Sequence, residues 1–157
     1  MEETTNHKVK SLVELGSLVA LFLRDLAKLP LSGRATVLGL SGDLGSGKTA
    51  FVKCIASALG ISGLVTSPTF ILEKVYVIPR ESLMKGRFTK LIHIDAYRLE
   101  GGKEMSALDW GALLSDECNL IFIEWPEQVV DAMPEDMIKL SFEYVDEGTR
   151  NITGAIR

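Results

Sequence analysis

The sequence has few cysteines, no long apolar run and no excess of positive charge, and each shortage narrows the range of functions. Its two cysteines, Cys54 and Cys118, stand far apart and outside any metal-ligand spacing, so neither a disulfide framework nor a zinc site is predicted. The longest apolar stretches, 18–23 and 120–123, are much shorter than the ~20 residues of a membrane-spanning helix. Residues 1–10 are polar and mixed in charge, unlike a signal peptide or an anchor. We therefore expect a cytoplasmic protein.

The charge balance is acidic rather than basic. Seventeen Lys and Arg residues stand against 21 Asp and Glu residues, a formal net charge of −4. A nucleic-acid binder that acts alone normally presents a basic face, so the composition argues against that class. Contact with nucleic acid through a partner remains compatible with it. A length of 157 residues suits one domain that can bury a core without disulfides.

Hydrophobic periodicity predicts alternating helices and strands. Ser11 and Glu14 have the spacing of a capping box, ahead of a helix that Pro30 and Gly33 would end. The apolar stripe predicted for this helix is Leu12, Leu15, Val19, Phe22, Leu23 and Leu26. The further predicted helices are 48–59, 103–114 and 127–132, and the predicted strands are 35–40, 71–78, 88–95, 119–124 and 137–145, the last in a hairpin with 149–156.

This order of elements predicts an α/β fold. We expect a three-layer sandwich with a mostly parallel central sheet and antiparallel edge strands. The segment GDLGSGKT at 42–49, between a predicted strand and a predicted helix, makes this the P-loop NTPase kind. It would form a single domain over residues 1–157, in which residues 1–10 are loose.

One segment carries a strong phosphate-binding signal. Gly42–Thr49 reads GDLGSGKT and matches G-x-x-x-x-G-K-[ST] at every fixed position, between a predicted strand and a predicted helix. The glycines let backbone N–H groups turn inward around phosphates, and the helix directs its positive N-terminal end at the same anion. Lys48 supplies a mobile cation for the β- and γ-phosphates, and Thr49 a hydroxyl for Mg²⁺. The predicted contacts of the nucleotide in this segment are Asp43, Leu44, Gly45, Ser46, Gly47, Lys48, Thr49 and Ala50.

The nucleotide that we predict is ATP. The phosphate loop itself does not distinguish ATP from GTP. The sequence contains no N-K-x-D segment of the kind that reads guanine, which favours ATP.

Acidic residues end two of the apolar strands. Asp95 follows the run 91–94, and Glu124 follows the run 120–123. Because strand tips lie beside the nucleotide in P-loop proteins, we expect both carboxylates to hold Mg²⁺, directly or through water, and to orient the attacking water. A helix cap or a solvated carboxylate is the alternative for each, and the sequence leaves open which one is the Walker B acid. The predicted catalytic residues are Lys48, Asp95 and Glu124, and the predicted metal ligands are Thr49, Asp95 and Glu124.

Three residues near these strand ends have weaker claims. His93 shares a strand face with Asp95, so it could tune the site or simply be a buried, hydrogen-bonded histidine. Arg98 could reach the nucleotide or a partner, or form a surface salt bridge. Trp125 directly follows Glu124, so strand alternation places it on the opposite face, where we expect it to pack.

Two further segments have open interpretations. Thr66, Ser67 and Thr69 could sense the γ-phosphate, as switch hydroxyls do in many P-loop hydrolases, or could serve local turn chemistry around Pro68. A basic tract in the connection of two strands is either a solvated hairpin or a contact for nucleic acid or the acidic face of a partner. This tract comprises Lys74, Arg80, Lys85, Arg87 and Lys90.

Four segments together resemble the bacterial TsaE (YjeE) family. They are GDLGSGKT at 42–49, VTSPTF at 65–70, HIDAYRL at 93–99 and IEWPE at 123–127. The phosphate loop alone is common to many proteins, but the combination in this order and spacing is highly specific. The similarity covers about residues 11–145, nearly the whole chain.

The resemblance implies an ATPase subunit of the system that makes threonylcarbamoyladenosine beside the tRNA anticodon. Members bind and slowly hydrolyse ATP, and they associate with a TsaD-type transferase subunit and its TsaB-type companion. In the family's motifs, Lys48 and Thr49 match the P-loop pair, and Asp95 matches the H-x-D acid. Glu124 and Trp125 match the E-W-P-E pair, and Thr66 and Thr69 match the switch-like segment. Thr66 is thereby predicted as a further nucleotide contact. The chain departs from the family pattern at Ala50, where many members carry threonine, and at 100–102, where an acidic-Pro helix entry is usual.

Two other functions remain open from the sequence. A small-molecule P-loop kinase would share the size and the loop, but only Arg150 and Arg157 lie beyond Arg98, so an arginine-rich lid is lacking. A nucleotide-dependent assembly module, in which hydrolysis is incidental, would share every motif.

Overall fold

The structure is a computed structural model that describes residues 4–63, 72–82 and 84–154. The strands in these residues are β1 (Thr5–Val9), β2 (Thr36–Ser41), β3 (Glu73–Val77), β4 (Lys90–Asp95), β5 (Asn119–Glu124), β6 (Ile138–Asp146) and β7 (Thr149–Gly154). The α-helices are α1 (Leu12–Leu26), α2 (Lys48–Ala58) and α3 (Trp110–Ser115), and two 3₁₀ helices span Gly102–Leu108 and Pro126–Ala132.

The strands form one mixed sheet in the order β1-β7-β6-β2-β5-β4-β3. The four central strands β6, β2, β5 and β4 are parallel, while β3 at one edge and the β7 hairpin partner of β6 run antiparallel to their neighbours. The expected α/β fold with a mostly parallel centre and antiparallel edges is therefore confirmed. The parallel arrangement places the carboxyl ends of β2, β4 and β5 at one edge of the sheet, which is where the phosphate loop leaves β2.

Apolar side chains cover both faces of the sheet. The helices α1 and α2 pack on one face, and α3 with the two 3₁₀ helices packs on the other. In β5, Leu120 and Phe122 belong to the first layer and Ile121 and Ile123 to the second, as strand alternation requires. Both faces are buried, so the central strands read as nearly continuous apolar runs.

The start of α1 agrees with the capping prediction. The Ser11 hydroxyl accepts the Glu14 backbone N–H at 3.1 Å, and the Glu14 carboxylate accepts the Lys10 N–H at 2.7 Å. The predicted apolar stripe is wrong at its first position, because Leu12 is 80% exposed at the beginning of the helix. The helix ends at Leu26, before the proline and glycine that were expected to end it.

Two further expectations are corrected. No element was predicted before residue 11, but Thr5–Val9 form β1, paired antiparallel with β7. Four of these five residues are exposed, so the strand depends on backbone pairing and lacks the apolar alternation that would announce it. The single helix predicted over 103–114 is broken at Asp109, which has φ of +55°, a conformation that aspartate tolerates better than most residues.

The break at Asp109 lets the Trp110 ring pack into the second apolar layer, where its indole N–H donates to the Ala132 carbonyl at 2.9 Å. Within the described ranges, no helix has the length and apolar character that crossing a bilayer requires.

Candidate functional site

The phosphate-binding motif folds as a tight turn from β2 into α2. Gly42 has φ of +150°, and a Cβ atom there would overlap the Phe142 carbonyl oxygen of β6 and lie 2.6 Å from the Ser46 hydroxyl. Gly47, at φ of +106°, immediately precedes α2. The two outer glycines of the motif are thus required by close approach and by backbone conformation, respectively.

Lys48 is buried at the start of α2, and its ammonium turns back into the loop. It donates to the carbonyl oxygens of Gly42 and Asp43, the latter at 2.9 Å. The ammonium also lies 4.4 Å from the centre of the Trp125 ring, within cation–π range. Burial lowers the pKa of Lys48, and the nearby carboxylates, that of Glu124 foremost, oppose this effect.

The two strand-end acids lie side by side next to α2. Asp95 and Glu124 are paired in the register of β4 and β5, and both are buried. The Thr49 hydroxyl donates to the Glu124 carboxylate, with its oxygen 3.0 Å from Oε1 and 3.2 Å from Oε2. Asp95 accepts the Tyr97 backbone N–H at 2.9 Å. The structure thus gathers the predicted lysine, threonine and carboxylates at one point.

His93 of β4 contacts the Glu124 carboxylate as well. Its Nε2 lies 2.7 Å from Glu124 Oε2, and both side chains are almost fully buried. Of the two interpretations left open by the sequence, a buried, hydrogen-bonded histidine is what the structure contains. Its partner, however, is one of the predicted site residues.

The face predicted for Trp125 is wrong, whereas the expectation that its ring packs is confirmed by its contacts with Lys48 and Tyr97. Strand β5 ends at Glu124, and Trp125 adopts the left-handed conformation with φ of +60°, its N–H donating to the Leu40 carbonyl at 3.1 Å. This turn brings the ring over Lys48 and to 5.0 Å from the Tyr97 ring centre. Alternation fails because the strand stops first, and the Pro126 that begins the following 3₁₀ helix was the available signal.

A cavity of about 330 Å³ lies beside the phosphate loop. The start of α1, the loop residues Ser46 and Gly47, the exposed Ala50 and the β6–β7 hairpin form its walls. Arg150 belongs to this wall, and the sequence did not identify it as a site residue. Its aliphatic chain passes along Gly47, and its guanidinium carbon lies 4.5 Å from the centre of the Tyr144 ring.

The remaining predicted nucleotide contacts and Arg98 lie on exposed parts of the chain or outside the described residues. Asp43, Leu44 and Gly45 form the exposed crest of the loop. Thr66, Ser67 and Thr69 lie outside the described residues, so their proposed switch role stays a prediction. Arg98 lies exposed in the turn after β4.

The basic tract is divided in the structure. Arg87 donates to the Ala27 carbonyl at the end of α1, at 2.8 Å, and covers the Phe88 ring. Arg87 therefore joins the strand connection to α1. Lys90 begins β4, at the opposite end of that strand from Asp95, whereas Lys74 in β3 is paired with His93.

The donor set suits a hard cation such as Mg²⁺. In the part of the chain that the structure describes, no group of three or more His, Cys, Asp and Glu side chains forms a complete metal cage. Mg²⁺ commonly takes only one or two protein carboxylates and completes its shell with water and phosphate oxygens. The Thr49 hydroxyl and the adjoining carboxylates of Glu124 and Asp95 fit that pattern.

Comparison with known proteins gives a consistent result. The family model described as threonylcarbamoyl adenosine biosynthesis protein TsaE matches residues 8–152. The chain is 42% identical over 121 residues to the tRNA threonylcarbamoyladenosine biosynthesis protein TsaE of Streptomyces coelicolor, covering 76% of this chain and 75% of that protein. It is 40% identical over 124 residues to the protein of the same name from Treponema pallidum, covering 76% and 82%.

A solved structure supports the fold independently. The crystal structure of Bacillus subtilis YdiB superposes with a TM-score of 0.71, over 100% of this chain and 88% of that one. The sequence identity of this pair is 23%, so the comparison bears on the fold alone.

Proposed function

Since this chain belongs to the TsaE family of tRNA threonylcarbamoyladenosine biosynthesis proteins, we propose that it is the ATP-binding and ATP-hydrolysing subunit of that system. The partners in this proposal are a TsaD-type transferase subunit and a TsaB-type companion, with tRNA contacted through the complex in the cytoplasm. The observation that carries the ATPase part is the meeting of Lys48, the Thr49 hydroxyl and the Glu124 carboxylate at the N-terminus of α2.

The phosphates would lie in the turn between β2 and α2. Backbone N–H groups of the loop and the positive end of α2 favour an anion there. The Lys48 ammonium, which donates to carbonyl oxygens of its own loop, would exchange these acceptors for β- and γ-phosphate oxygens. The exchange keeps the buried ammonium hydrogen-bonded in both states, as a buried cation requires.

The sugar and base would occupy the cavity beside the loop. We place the sugar near Ala50, which lines this cavity together with Ser46 and Gly47 of the loop. Apolar side chains of α1 and the β-hairpin line it, and its volume is at the lower end of the range of about 300–1,000 Å³ typical of small-molecule pockets. A flat purine with a polar edge fits such walls, and Arg150 of the hairpin is one of the residues that line them.

Turnover would depend on the oxygen ligands at the strand ends. The Thr49 hydroxyl can offer a lone pair to a cation while it still donates its hydrogen bond to Glu124. This contact makes Glu124 our candidate for the Walker B acid. Mg²⁺, when bound, supplies positive charge against the developing charge of the phosphates. Asp95, the paired carboxylate on β4, would help to orient the attacking water.

Binding and hydrolysis measurements on matched variants test this proposal. Lys48→Ala should lose ATP binding, whereas Lys53→Ala, on the exposed side of the same helix, should bind as the wild type does. Glu124→Gln should keep appreciable ATP binding while turnover falls by about 10²-fold or more, because the charge that orients cation and water is removed. Wild-type affinity in Lys48→Ala would contradict the placement of the phosphates.

A further inference from the structure

We propose that His93 is a positioning residue, whose Nε2–H holds the Glu124 carboxylate in the orientation that receives the Thr49 hydroxyl. The effect of His93 on catalysis rests on the proposed ATPase function, whereas the hydrogen bond between His93 and Glu124 does not. The imidazole contacts no reacting atom in this proposal, and it acts through Glu124.

The sheet register places the two side chains together. His93 of β4 is paired with Phe122 of β5, so Glu124 lies two residues farther along and on the same face. On that face, Leu91 and Phe122 next to His93 belong to the core beneath α2. A histidine at this depth is costly to bury without a partner. The partner that it has is a carboxylate oxygen at 2.7 Å.

The polar groups around the carboxylate define the direction of each hydrogen bond. A carboxylate can only accept, so the Nε2 of His93 must carry the hydrogen. Nδ1 is buried and has no hydrogen-bond partner among the described residues, so nothing there competes to orient the ring. Thr49 donates to the same carboxylate from α2. Glu124 is therefore held by one donor on β4 and another on the phosphate-loop helix.

Two hydrogen-bond donors fix the plane of the Glu124 carboxylate, which one donor alone would leave free to rotate. A glutamate side chain has three rotatable bonds, and a single hydroxyl contact does not determine the plane of its carboxylate. Partners that orient metal-site ligands typically change metal affinity or activity by about 10–100-fold when they are lost. The structure predicts that His93 has this effect on Glu124.

Two amide variants separate positioning from mere filling of the core. The Nε2 of glutamine stands as many bonds from Cα as the Nε2 of histidine, whereas the amide nitrogen of asparagine corresponds to Nδ1 and falls short. We expect His93→Asn to raise the Mg²⁺ concentration for half-maximal ATP hydrolysis, or to lower kcat, by about 10–100-fold. His93→Gln should restore most of this loss, and ATP binding without Mg²⁺ should change little in either variant.

Nitrogen-15 NMR of the metal-free and nucleotide-free protein tests the hydrogen bond directly. The chain has two histidines, so His7→Gln, a change on the exposed strand β1, assigns the His93 signals. We expect a hydrogen on His93 Nε2 whose resonance shifts in Glu124→Gln. A hydrogen on Nδ1 with none on Nε2 would overturn the inference, even if the asparagine variant failed to fold.

The kinetic outcomes also discriminate. Equal Mg²⁺ dependence and kcat in the wild type, His93→Asn and His93→Gln would show that His93 only fills space, and would overturn its positioning role. A wild-type protein that hydrolyses no ATP, alone or with its partners, would instead refute the proposed function. In that case the Nε2 signal and its dependence on Glu124 still decide whether the carboxylate is held by His93.

Discussion

The substitution Gly42→Ala has an effect that can be worked out from the structure. Gly42 has φ of +150°, and a Cβ atom at this position would overlap a main-chain oxygen of β6, that of Phe142. Gly45, three residues along the same loop, is the matched control. It also has a positive φ, of +76°, but a Cβ there would meet no atom within 4 Å.

The expected costs differ because only one position combines strain with overlap. A non-glycine residue in the left-handed region costs about 1–2 kcal/mol. That strain alone applies to Gly45→Ala. Forcing an extra carbon against packed backbone adds about 1–3 kcal/mol, which gives about 2–5 kcal/mol for Gly42→Ala. For a chain of this length these costs correspond to melting temperatures below that of the wild type, by roughly 10 °C for Gly42→Ala and roughly 4 °C for Gly45→Ala.

Thermal unfolding followed by circular dichroism, without nucleotide, measures both variants against the wild type. Urea unfolding gives the free energies independently. Equal losses in the two alanine variants would refute the reasoning, because they would show that the contact between the loop and β6 contributes nothing beyond backbone strain. A Gly42→Ala protein as stable as the wild type would refute it more strongly.

Two other predictions concern the hairpin and the tryptophan beside the loop. The Thr149 side chain, which hydrogen-bonds Asp146, is the main cause that lowers the pKa of this carboxyl below its ordinary value of 3.8. The stability that it contributes is therefore present above pH 3.8 and lost as pH falls through the lowered pKa, so Asp146→Asn should melt with a weaker acid dependence in a pH series. In a Trp110→Phe protein, adding ATP with Mg²⁺ should change the emission of Trp125, since Lys48 leaves its ring for the phosphates. Unchanged emission at saturating ATP would contradict that movement.

The sequence was sufficient where local chemistry determines local structure. The turn from β2 into α2 follows from glycine conformations and the apolar run before it, and β5 was predicted with its observed bounds, Asn119–Glu124. Asp95 and Glu124 were found because parallel strands end at a common edge of the sheet.

The sequence was insufficient where distant pairing or a single backbone turn decides. β1 forms at an edge from mostly exposed residues, and Trp125 reverses its expected face through one left-handed residue. Arg150 reaches Gly47 only because β6 pairs with β2 and β7 folds back on β6. No local pattern around Arg150 carries that information. Likewise, the hydrogen bond from Thr49 that distinguishes Glu124 from Asp95 depends on how α2 sits on the sheet.

The proposed ATPase function implies that ATP turnover at Glu124 sustains repeated rounds of tRNA modification by the complex. The most direct test is a reconstitution of this protein with the TsaD-type and TsaB-type subunits, in which these two subunits are limiting relative to tRNA. The quantity measured is the number of modified tRNA molecules per transferase subunit. We predict many products with the wild type. With Glu124→Gln, which retains ATP binding, we predict arrest after about one round, because the complex is no longer reset by hydrolysis. Continued rounds at the wild-type rate, with hydrolysis abolished, would contradict the claim and would show that nucleotide binding alone suffices.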